Sequence, residues 1–516
     1  MDDQQIRAQS RPKSNLDMRG SLLAKNTVLN FLGLAIPILV GVVTIPPTIH
    51  LLGNERFGIL SLVWAVVGYF GVLDLGLSTA ATKFVAESLG RGKENEVPGY
   101  LWTIVLFQTF LGLIGSVLMI VLTPLIAERI LQIPVEFIQE SKRTFYYLSF
   151  SLPVIYVSAS FRGALEAKQK FDLVNAVKIP SSIINYVIPL VGVLLGMKLP
   201  GIVLTITISR AMTLFIWCLM CFRLFPGLLA RVSIYTTIAK KILKFGSWIA
   251  VTNIINPFLM SLDRFFIGTI MNLESVTFYA APLEVVLRLG IIPASLLITL
   301  FPMFSALQGR NEIDRSHYFF IRSFKYLILA MGGVVTLLFS LAQIIMRYWL
   351  GESFVQNSVL VFQILLIGLL MNALARIPYG YVQALGRTDI TGRFHILELI
   401  FYIPLLFVLI KTWGIKGAAL AWTIRVTADM ILLIGASFKI GRLRPGDLYN
   451  QALKTTIWPL ALFFILANLA TKSFWTSFFI VPLGLFFVVG IWFYALTPDE
   501  KNWLKGKFLI LTRKRL

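Results

Sequence analysis

The sequence predicts an all-α polytopic membrane protein with about fourteen transmembrane helices. Three observations lead to this fold class: the composition, a series of long apolar segments and the placement of the basic residues. Of the 516 residues, 57% are hydrophobic and 14% are charged, and the mean hydropathy is +0.79. Soluble domains contain about half apolar and about a quarter charged residues, so this composition excludes a soluble globular protein.

The apolar segments have the length of membrane spans. A helix needs about 20 mostly apolar residues to cross the hydrocarbon core of a bilayer. About fourteen segments meet this requirement. The predicted spans are 28–50, 57–82, 99–125, 144–161, 179–197, 200–222, 245–270, 277–305, 326–346, 357–375, 394–410, 417–438, 455–471 and 474–495.

Lysine and arginine are concentrated in alternate loops between the predicted spans. Most of the 47 basic residues lie in the two tails and in every second loop, on one side of the membrane. Cytoplasmic loops accumulate Lys and Arg, so we expect both termini in the cytoplasm and an even number of spans. The same loops account for the net charge of +22 and predict contact with anionic membrane lipids, not with nucleic acid. Typical clusters are Lys240, Lys241 and Lys244, and residues 513–515.

The N-terminal tail and the two cysteines indicate neither processing nor catalysis. The polar tail precedes an apolar segment without a small-residue cleavage site, so we expect it to stay attached. Cys218 and Cys221 lie inside the sixth predicted span, without a second pair or a nearby histidine. They are expected to behave as small apolar side chains. No metal site and no cofactor are predicted.

The loops are too short to hold a catalytic domain. On these boundaries no loop exceeds about 25 residues, which argues against a membrane glycosyltransferase or polymerase. The chain also lacks the G-x-x-x-x-G-K-[ST] phosphate loop of ATP-hydrolysing proteins. We therefore expect no enzymatic activity. Transport would draw its energy from an ion gradient, the membrane potential or consumption of the product.

An internal repeat divides the first twelve predicted spans into two halves. Adding 220 to the numbering places Pro37 on Pro257 and Leu165 on Leu385. Six helices are an even number, so the repeat is parallel, and we expect two lobes around a central cavity that rock to give alternating access. The predicted segments are a cytoplasmic tail at 1–20, an N-terminal lobe at 21–235, a C-terminal lobe at 236–450, and two further helices with a basic tail at 451–516.

Short motifs lie along most of the chain. They are 52–58 (LGNERFG), 73–78 (LDLGLS), 83–86 (KFVA), 383–387 (QALGR) and 414–422 (GIKGAALAW). These motifs are similar to those of polysaccharide and O-antigen exporters, a family of the multidrug, oligosaccharidyl-lipid and polysaccharide exporter superfamily. The resemblance covers about residues 22–495.

This resemblance implies a function and a location. A family member would be a flippase in the bacterial cytoplasmic (inner) membrane that moves an undecaprenyl-diphosphate-linked oligosaccharide from the cytoplasmic to the outer leaflet. The product would serve the synthesis of O-antigen, capsule or exopolysaccharide. The implied partners are the lipid-linked oligosaccharide and, as further candidates, the glycosyltransferases and polymerase of the same pathway.

Arginines inside predicted spans are candidates for binding the diphosphate. Ionisable residues inside membrane helices are energetically costly and usually face a cavity, and a guanidinium group suits phosphate oxygens. The candidates are Arg210, Arg264, Arg288 and Arg425.

Some of these arginines have a second interpretation as neutralised pairs. Glu284 lies four residues before Arg288, and Asp429 lies four residues after Arg425, so each pair can form within one helix. Arg210 has no acidic residue within four positions, and the Asp263 next to Arg264 is expected to face another direction.

Sugar contact and ion coupling have separate candidates. Amide and aromatic side chains bond to and stack on sugars, but they also pair between helices or favour the membrane interface. Glu398 and His395 can bond to each other instead of carrying a proton, and Asp74 can cap the turn that follows it. The sugar-contact candidates are Asn253, Asn256, Trp248, Tyr279 and Gln383, and the ion-coupling candidates are Glu398, His395 and Asp74.

A cation-coupled drug exporter of the same superfamily is the alternative function. Such an exporter is expected to carry acidic residues in the cavity of its first lobe. The predicted span 28–50 contains none, and arginine dominates the charges near the middle of the membrane. An anionic cargo is therefore favoured.

Overall fold

A computed structural model describes residues 20–70, 74–130, 133–230, 236–470, 480–496, 498 and 501. All regular structure in these ranges is helical, which confirms the predicted all-α fold. The predicted tail, except Gly20, and the basic cluster at 513–515 lie outside the described residues. The longer helices are α1 (Gly20–Leu52), α2 (Asn54–Phe70), α3 (Leu77–Gly90), α4 (Val97–Leu125), α5 (Val135–Ser149), α6 (Ser151–Ala167), α7 (Phe171–Leu194), α8 (Leu199–Leu224), α9 (Thr236–Leu259), α10 (Leu262–Ile270), α11 (Leu273–Leu289), α12 (Ile291–Arg310), α13 (Ile313–Ser340), α14 (Ala342–Leu350), α15 (Glu352–Ala384), α16 (Thr388–Gly441), α17 (Lys454–Ala470) and α18 (Ile480–Gly490).

The helices are long because a chain inside a bilayer must satisfy its backbone hydrogen bonds internally. Eleven described stretches are long and apolar enough to cross a membrane. Within the described ranges, each predicted span falls mainly on helix. The count of fourteen crossings stays a prediction.

Glycine and proline decide where the helices break. The predicted span 245–270 is divided, because α9 ends two residues after Pro257 and α10 begins at Leu262. The predicted spans 394–410 and 417–438 instead join in one stretch, α16, at Gly414. Its φ of 58° and ψ of −138° suit glycine because it has no Cβ, so Gly414 separates α16 into two helical arms.

The first of two compact units comprises Met1–Pro257, Ala294–Ile313 and Gln383–Arg393. In it α1 packs along α7, and α6 packs against α3, α4 and α8. Gly41 of α1 allows the close approach of α7, since a Cβ there would lie 3.1 Å from the ring of Tyr186. The sulfur of Cys221 lies 3.2 Å from the carbonyl oxygen of Phe161, and both cysteines are free thiols.

The second unit comprises Phe258–Pro293, Asp314–Val382 and Phe394–Leu516. In its described part, α10 packs on α11 and α17 packs on α18. Phe463 of α17 stacks on Phe487 of α18 with their ring centroids 4.5 Å apart. The predicted lobes, 21–235 and 236–450, stay predictions.

Helix α3 in the first unit begins with a tight turn. Leu75 and Gly76 both have positive φ, of 49° and 69°. The carboxylate of Asp74 accepts hydrogen bonds from the Ser78 backbone N–H at 3.4 Å, from the Ser78 hydroxyl at 2.7 Å and from Gln108 Nε2. Asp74 therefore caps the first turn of α3.

Helices α3 and α12 cross in close contact through two glycines of the first unit. A Cβ on Gly90 would meet the carbonyl oxygen of Ala306, and a Cβ on Gly309 would meet the carbonyl oxygen of Glu87. The contact is reciprocal. Gly90 lies three residues after Glu87 on α3, and Gly309 lies three residues after Ala306 on α12, so each glycine faces the carbonyl one turn before the other glycine. The contact fixes the end of α3 against α12.

Candidate functional site

Arg210 lies on α8 in the first unit and is half-buried. Its Nη1 donates a hydrogen bond to the hydroxyl of Ser151, the first residue of α6, at 3.1 Å. Within the described part of the chain, no carboxylate pairs with this guanidinium. A cation in a membrane helix is energetically costly unless an anion meets it. The guanidinium of Arg210 is therefore available to bind an anion.

Arg264 on α10 does have an acidic partner, contrary to the expectation from sequence. Its Nη2 lies 3.0 Å from Oε1 of Glu284 on α11. Arg288 lies 3.9 Å from the other oxygen of the same carboxylate, and its side chain is 71% exposed. One carboxylate thus serves two guanidinium groups, which leaves the trio with a net positive charge.

Asp263 faces away from this trio, as the sequence predicts. It is buried, and its Oδ1 accepts a hydrogen bond from the Arg264 backbone N–H at 2.8 Å. Its Oδ2 accepts a hydrogen bond from the hydroxyl of Tyr279 at 2.6 Å. Tyr279 is fully buried, so its hydroxyl supports Asp263 in this structure.

Arg425 lies at the centre of a buried polar cluster in the second unit. Its Nη1 is 3.1 Å from Oε2 of Glu398, and its guanidinium carbon lies 5.2 Å from the centroid of the Tyr402 ring. Only 10% of the Arg425 side chain and 5% of the Glu398 side chain are exposed. The ion-pair partner of Arg425 is therefore Glu398, on the other arm of α16, and not Asp429 on its own arm.

His395 and Asp429 complete the cluster around Glu398. One potential ligand atom from each of these three residues lies within 4.8 Å of the others. Arg376 on α15 interacts electrostatically with both His395 and Asp429. Two arginines beside the carboxylates place fixed positive charge there, which disfavours a metal ion. Neighbouring carboxyl groups can share a proton, so the cluster is better suited to hold a proton.

The remaining sugar-contact candidates belong to the first unit. On α9, Asn253 is half-buried and Asn256 is exposed. Trp248 is half-buried, and the guanidinium carbon of Arg393 lies 5.5 Å from the centroid of its ring. Gln383 is buried, and among the described residues its Nε2 has no hydrogen-bond partner. A joint site of all four arginines stays a prediction.

Three residues of these sites were missed from the sequence. Ser151 and Tyr402 are uncharged residues in apolar surroundings, so composition and spacing carry no signal for them. Arg376 lies one residue beyond the predicted span 357–375, whereas α15 continues to Ala384. A longer predicted span would have included it among the intramembrane charges.

The fold is that of transporters of the MOP superfamily. A multidrug resistance transporter of the MATE family, in an outward-facing conformation, matches with a TM-score of 0.71 at 15% identity, over 82% of this chain and 96% of that one. A variant of a Vibrio cholerae MATE transporter matches with a TM-score of 0.67 at 16% identity, over 84% and 98%. A Pyrococcus furiosus MOP-superfamily transporter, described as having a binding pocket of reversed polarity, matches with a TM-score of 0.69 at 14% identity, over 83% and 96%. At these identities the likeness shows the fold alone.

Sequence relatives define the family more closely. Residues 23–308 match the family of polysaccharide biosynthesis proteins. A Shigella flexneri protein assigned as an O-antigen transporter is 30% identical over 423 residues, which is 80% of this chain and 96% of that protein. The chain belongs to this polysaccharide biosynthesis family, which confirms the resemblance found in its motifs. It is a multi-pass membrane exporter and not an enzyme.

Proposed function

We propose that this protein is a flippase for an undecaprenyl-diphosphate-linked oligosaccharide. It moves this cargo from the cytoplasmic to the outer leaflet of the bacterial inner membrane by alternating access, with both termini in the cytoplasm. The product enters the synthesis of O-antigen, capsule or exopolysaccharide, alongside the glycosyltransferases and polymerase of the pathway. Family membership and the relative assigned to O-antigen transport support this class of cargo.

The observation that carries the proposal is the state of Arg210. This half-buried guanidinium bonds to a serine hydroxyl and to no carboxylate in the described chain. An anionic diphosphate supplies the missing counter-charge, and the planar guanidinium offers several donors to phosphate oxygens. A cationic drug would be repelled at this position.

The remaining arginines contribute to different degrees. Arg264 and Arg288 share one carboxylate and keep a net positive charge that favours the same anion. Arg425 is deeply buried and its charge is balanced by Glu398. We therefore assign it a structural role in the second unit in preference to a contact with the cargo. Single substitutions of these arginines distinguish the roles assigned to them.

The experiment measures lipid-linked oligosaccharide retained on the inner leaflet of cells. We expect Arg210→Ala to raise the retained precursor about tenfold or more, since a charge-assisted contact to phosphate contributes about 1.5–3 kcal/mol. Arg264→Ala and Arg288→Ala should each have a smaller effect. The control is Arg347→Ala, which removes an exposed arginine paired with Glu352 in the second unit. Normal export in Arg210→Ala, Arg264→Ala, Arg288→Ala and Arg425→Ala would refute the proposal.

Coupling to protons through the Glu398 cluster is the second part of the proposal. Glu398, His395 and Asp429 lie close enough to exchange a proton, and a proton on Glu398 would weaken its 3.1 Å ion pair with Arg425. We expect Glu398→Gln to flatten the pH dependence of transport in vesicles. An unchanged profile would remove Glu398 from the coupling step.

Cation-coupled drug export is the competing function, because the fold also serves multidrug transporters. Expression of this protein in a drug-sensitive strain distinguishes the two functions. Resistance to cationic compounds would support drug export, whereas retained lipid-linked precursor in a deletion strain would support the flippase.

A further inference from the structure

A pocket of about 300 Å³ opens in the first unit where four segments meet. The segments are the end of α3, the beginning of α9, the end of α12 and the stretch that leads from α15 into α16. None of the four candidate arginines lines this pocket. The residues that matter are Lys83, Glu87, Lys241, Lys244, Trp248 and Thr388.

The pocket carries an excess of positive charge. The ammonium of Lys83, which is 2% exposed, lies 2.6 Å from Oε2 of Glu87, and Arg91 pairs with the other oxygen of this carboxylate. Lys241 and Lys244 are exposed and form no ion pair among the described residues. The second acidic residue in the wall, Asp389, is neutralised by two contacts with Arg387, at 3.0 and 3.1 Å.

The carboxylate of Glu87 is already saturated with cations. Burial opposes its ionisation, but Lys83, then Lys241 and Arg91, outweigh this effect, and the pKa of Glu87 lies below its ordinary value. Glu87 and its two partners lie beyond the predicted span 57–82. Since Glu87 cannot also balance Lys241 and Lys244, these two ammonium groups are open to an anion from outside the protein.

The wall of the pocket is held in place before any ligand binds. The hydroxyl of Thr388 donates a hydrogen bond to the carbonyl oxygen of Phe245 at 3.0 Å. Gly392 allows the chain to pass close to Trp248, since a Cβ there would lie 2.7 Å from the indole ring. The ammonium of Lys241 lies 4.8 Å from the centroid of the Phe84 ring, which orients it. A site whose groups are already positioned loses less entropy when it binds.

We propose that this pocket binds a phosphoryl anion, either a phosphate or a diphosphate group, between Lys241 and Lys244. Lysine is a common phosphate ligand because its ammonium group is a compact charge with three donors. The indole of Trp248 provides an apolar face for the group that the phosphate carries. The volume exceeds what an isolated phosphate needs, so there is room for a second phosphoryl group or an attached residue.

The phosphoryl group has two sources in a membrane. It belongs to the head group of a lipid, including the diphosphate of a lipid-linked cargo before translocation, or to a soluble phosphate compound. The cargo role rests on the proposed function, and the anion site itself does not.

The test uses the full-length protein in phosphatidylcholine nanodiscs, with inorganic pyrophosphate as the probe. Lysine acetylation followed by mass spectrometry should show that pyrophosphate protects Lys241 and Lys244 and leaves Lys240 reactive. The double variant Lys241→Gln with Lys244→Gln should bind pyrophosphate about tenfold more weakly or worse, since it loses two charge-assisted contacts. Lys240→Gln removes one positive charge from the same helix outside the pocket and should bind pyrophosphate as the wild type does.

Nanodiscs that contain phosphatidylglycerol identify the source. Protection of Lys241 and Lys244 without pyrophosphate would assign the site to a membrane phospholipid, and protection by pyrophosphate alone would assign it to a diphosphate or soluble phosphate. Absence of protection under both conditions, or unchanged pyrophosphate affinity in the double variant, would overturn the proposal. The assay contains no cargo, so a negative result would not refute the proposed export function. A negative export test of Arg210 would likewise not refute the anion site.

Discussion

Arg425 forms its ion pair with Glu398, 27 residues earlier in the chain, at 3.1 Å. The two residues lie on opposite arms of α16, which are separated by Gly414. The pair therefore ties the two arms together inside the second unit. Its burial makes it sensitive to the loss of either partner.

The first prediction concerns the stability of this pair. Arg425→Met leaves the Glu398 carboxylate buried without its cation, so we expect the free energy of unfolding to fall by about 3 kcal/mol. The double variant Arg425→Met with Glu398→Met should regain most of that loss, because no buried charge of the pair then remains. Thermal unfolding of the purified protein in detergent measures both.

An exposed pair in the same unit provides the control for this double-mutant cycle. The side chains of Arg347 and Glu352 are 49% and 58% exposed, so Arg347→Met should change stability by less than about 1 kcal/mol. If the double variant is no more stable than Arg425→Met alone, the two residues do not act as a pair.

The second prediction separates Arg210 from Arg425. Removing Arg210 uncovers no buried carboxylate, so Arg210→Ala should unfold at or above the temperature of the wild type while it loses export. Ser151→Ala removes only the neutral partner and should retain most of the export activity. A loss of stability in Arg210→Ala as large as that of Arg425→Met would assign Arg210 a structural role instead.

The third prediction concerns the glycine crossing of α3 and α12. An alanine at Gly90 or Gly309 places a Cβ against the backbone carbonyl of the facing helix. Overpacking of this kind costs about 1–3 kcal/mol, because the helices must separate. Gly435→Ala in α16 is the control, since a Cβ there meets nothing within 4 Å. Equal unfolding temperatures for all three variants would contradict the close contact.

The fourth prediction concerns the pH dependence that Glu87 contributes. Its pKa is lower in the folded protein than the ordinary value of 4.5, so the unfolded state binds the proton more readily. The stabilisation is therefore fully present above about pH 4.5 and is lost as the pH falls through the lower folded-state pKa. Glu87→Gln should be less stable than the wild type at neutral pH, and the difference should shrink on acidification.

Thermal unfolding at intervals from pH 7 to pH 3 measures this difference. Glu94→Gln, at an exposed position between α3 and α4, should show a small and constant difference. A gap between the wild type and Glu87→Gln that is independent of pH would mean that the ion pair with Lys83 does not govern the titration.

Much of the fold was predictable because membrane insertion depends on local composition. About twenty apolar residues in a row can cross a bilayer whatever follows them, so the eleven described stretches that are long and apolar enough to do so lie where the sequence predicts spans. The exceptions were local too. The predicted span 245–270 is divided after Pro257, and α15 continues past Arg376, beyond the predicted span 357–375.

The candidate sites were predictable only in part. Arginine inside a membrane helix is rare, so Arg210, Arg264, Arg288 and Arg425 stood out by type and position alone. Their partners did not. Spacing along one helix suggested Asp429 for Arg425, whereas the structure brings in Glu398, and it supplies Glu284 to Arg264 from 20 residues away.

The sequence by itself determined the class of this protein, a helical membrane exporter, and it pointed to several arginines inside the predicted spans. Only the tertiary structure decided which of those charges are compensated and where Lys83, Lys241 and Lys244 converge on one pocket. Apolarity adds up residue by residue along the chain, so a linear reading captures it. An ion pair or a pocket depends on distances between helices remote in sequence, and packing alone sets those distances.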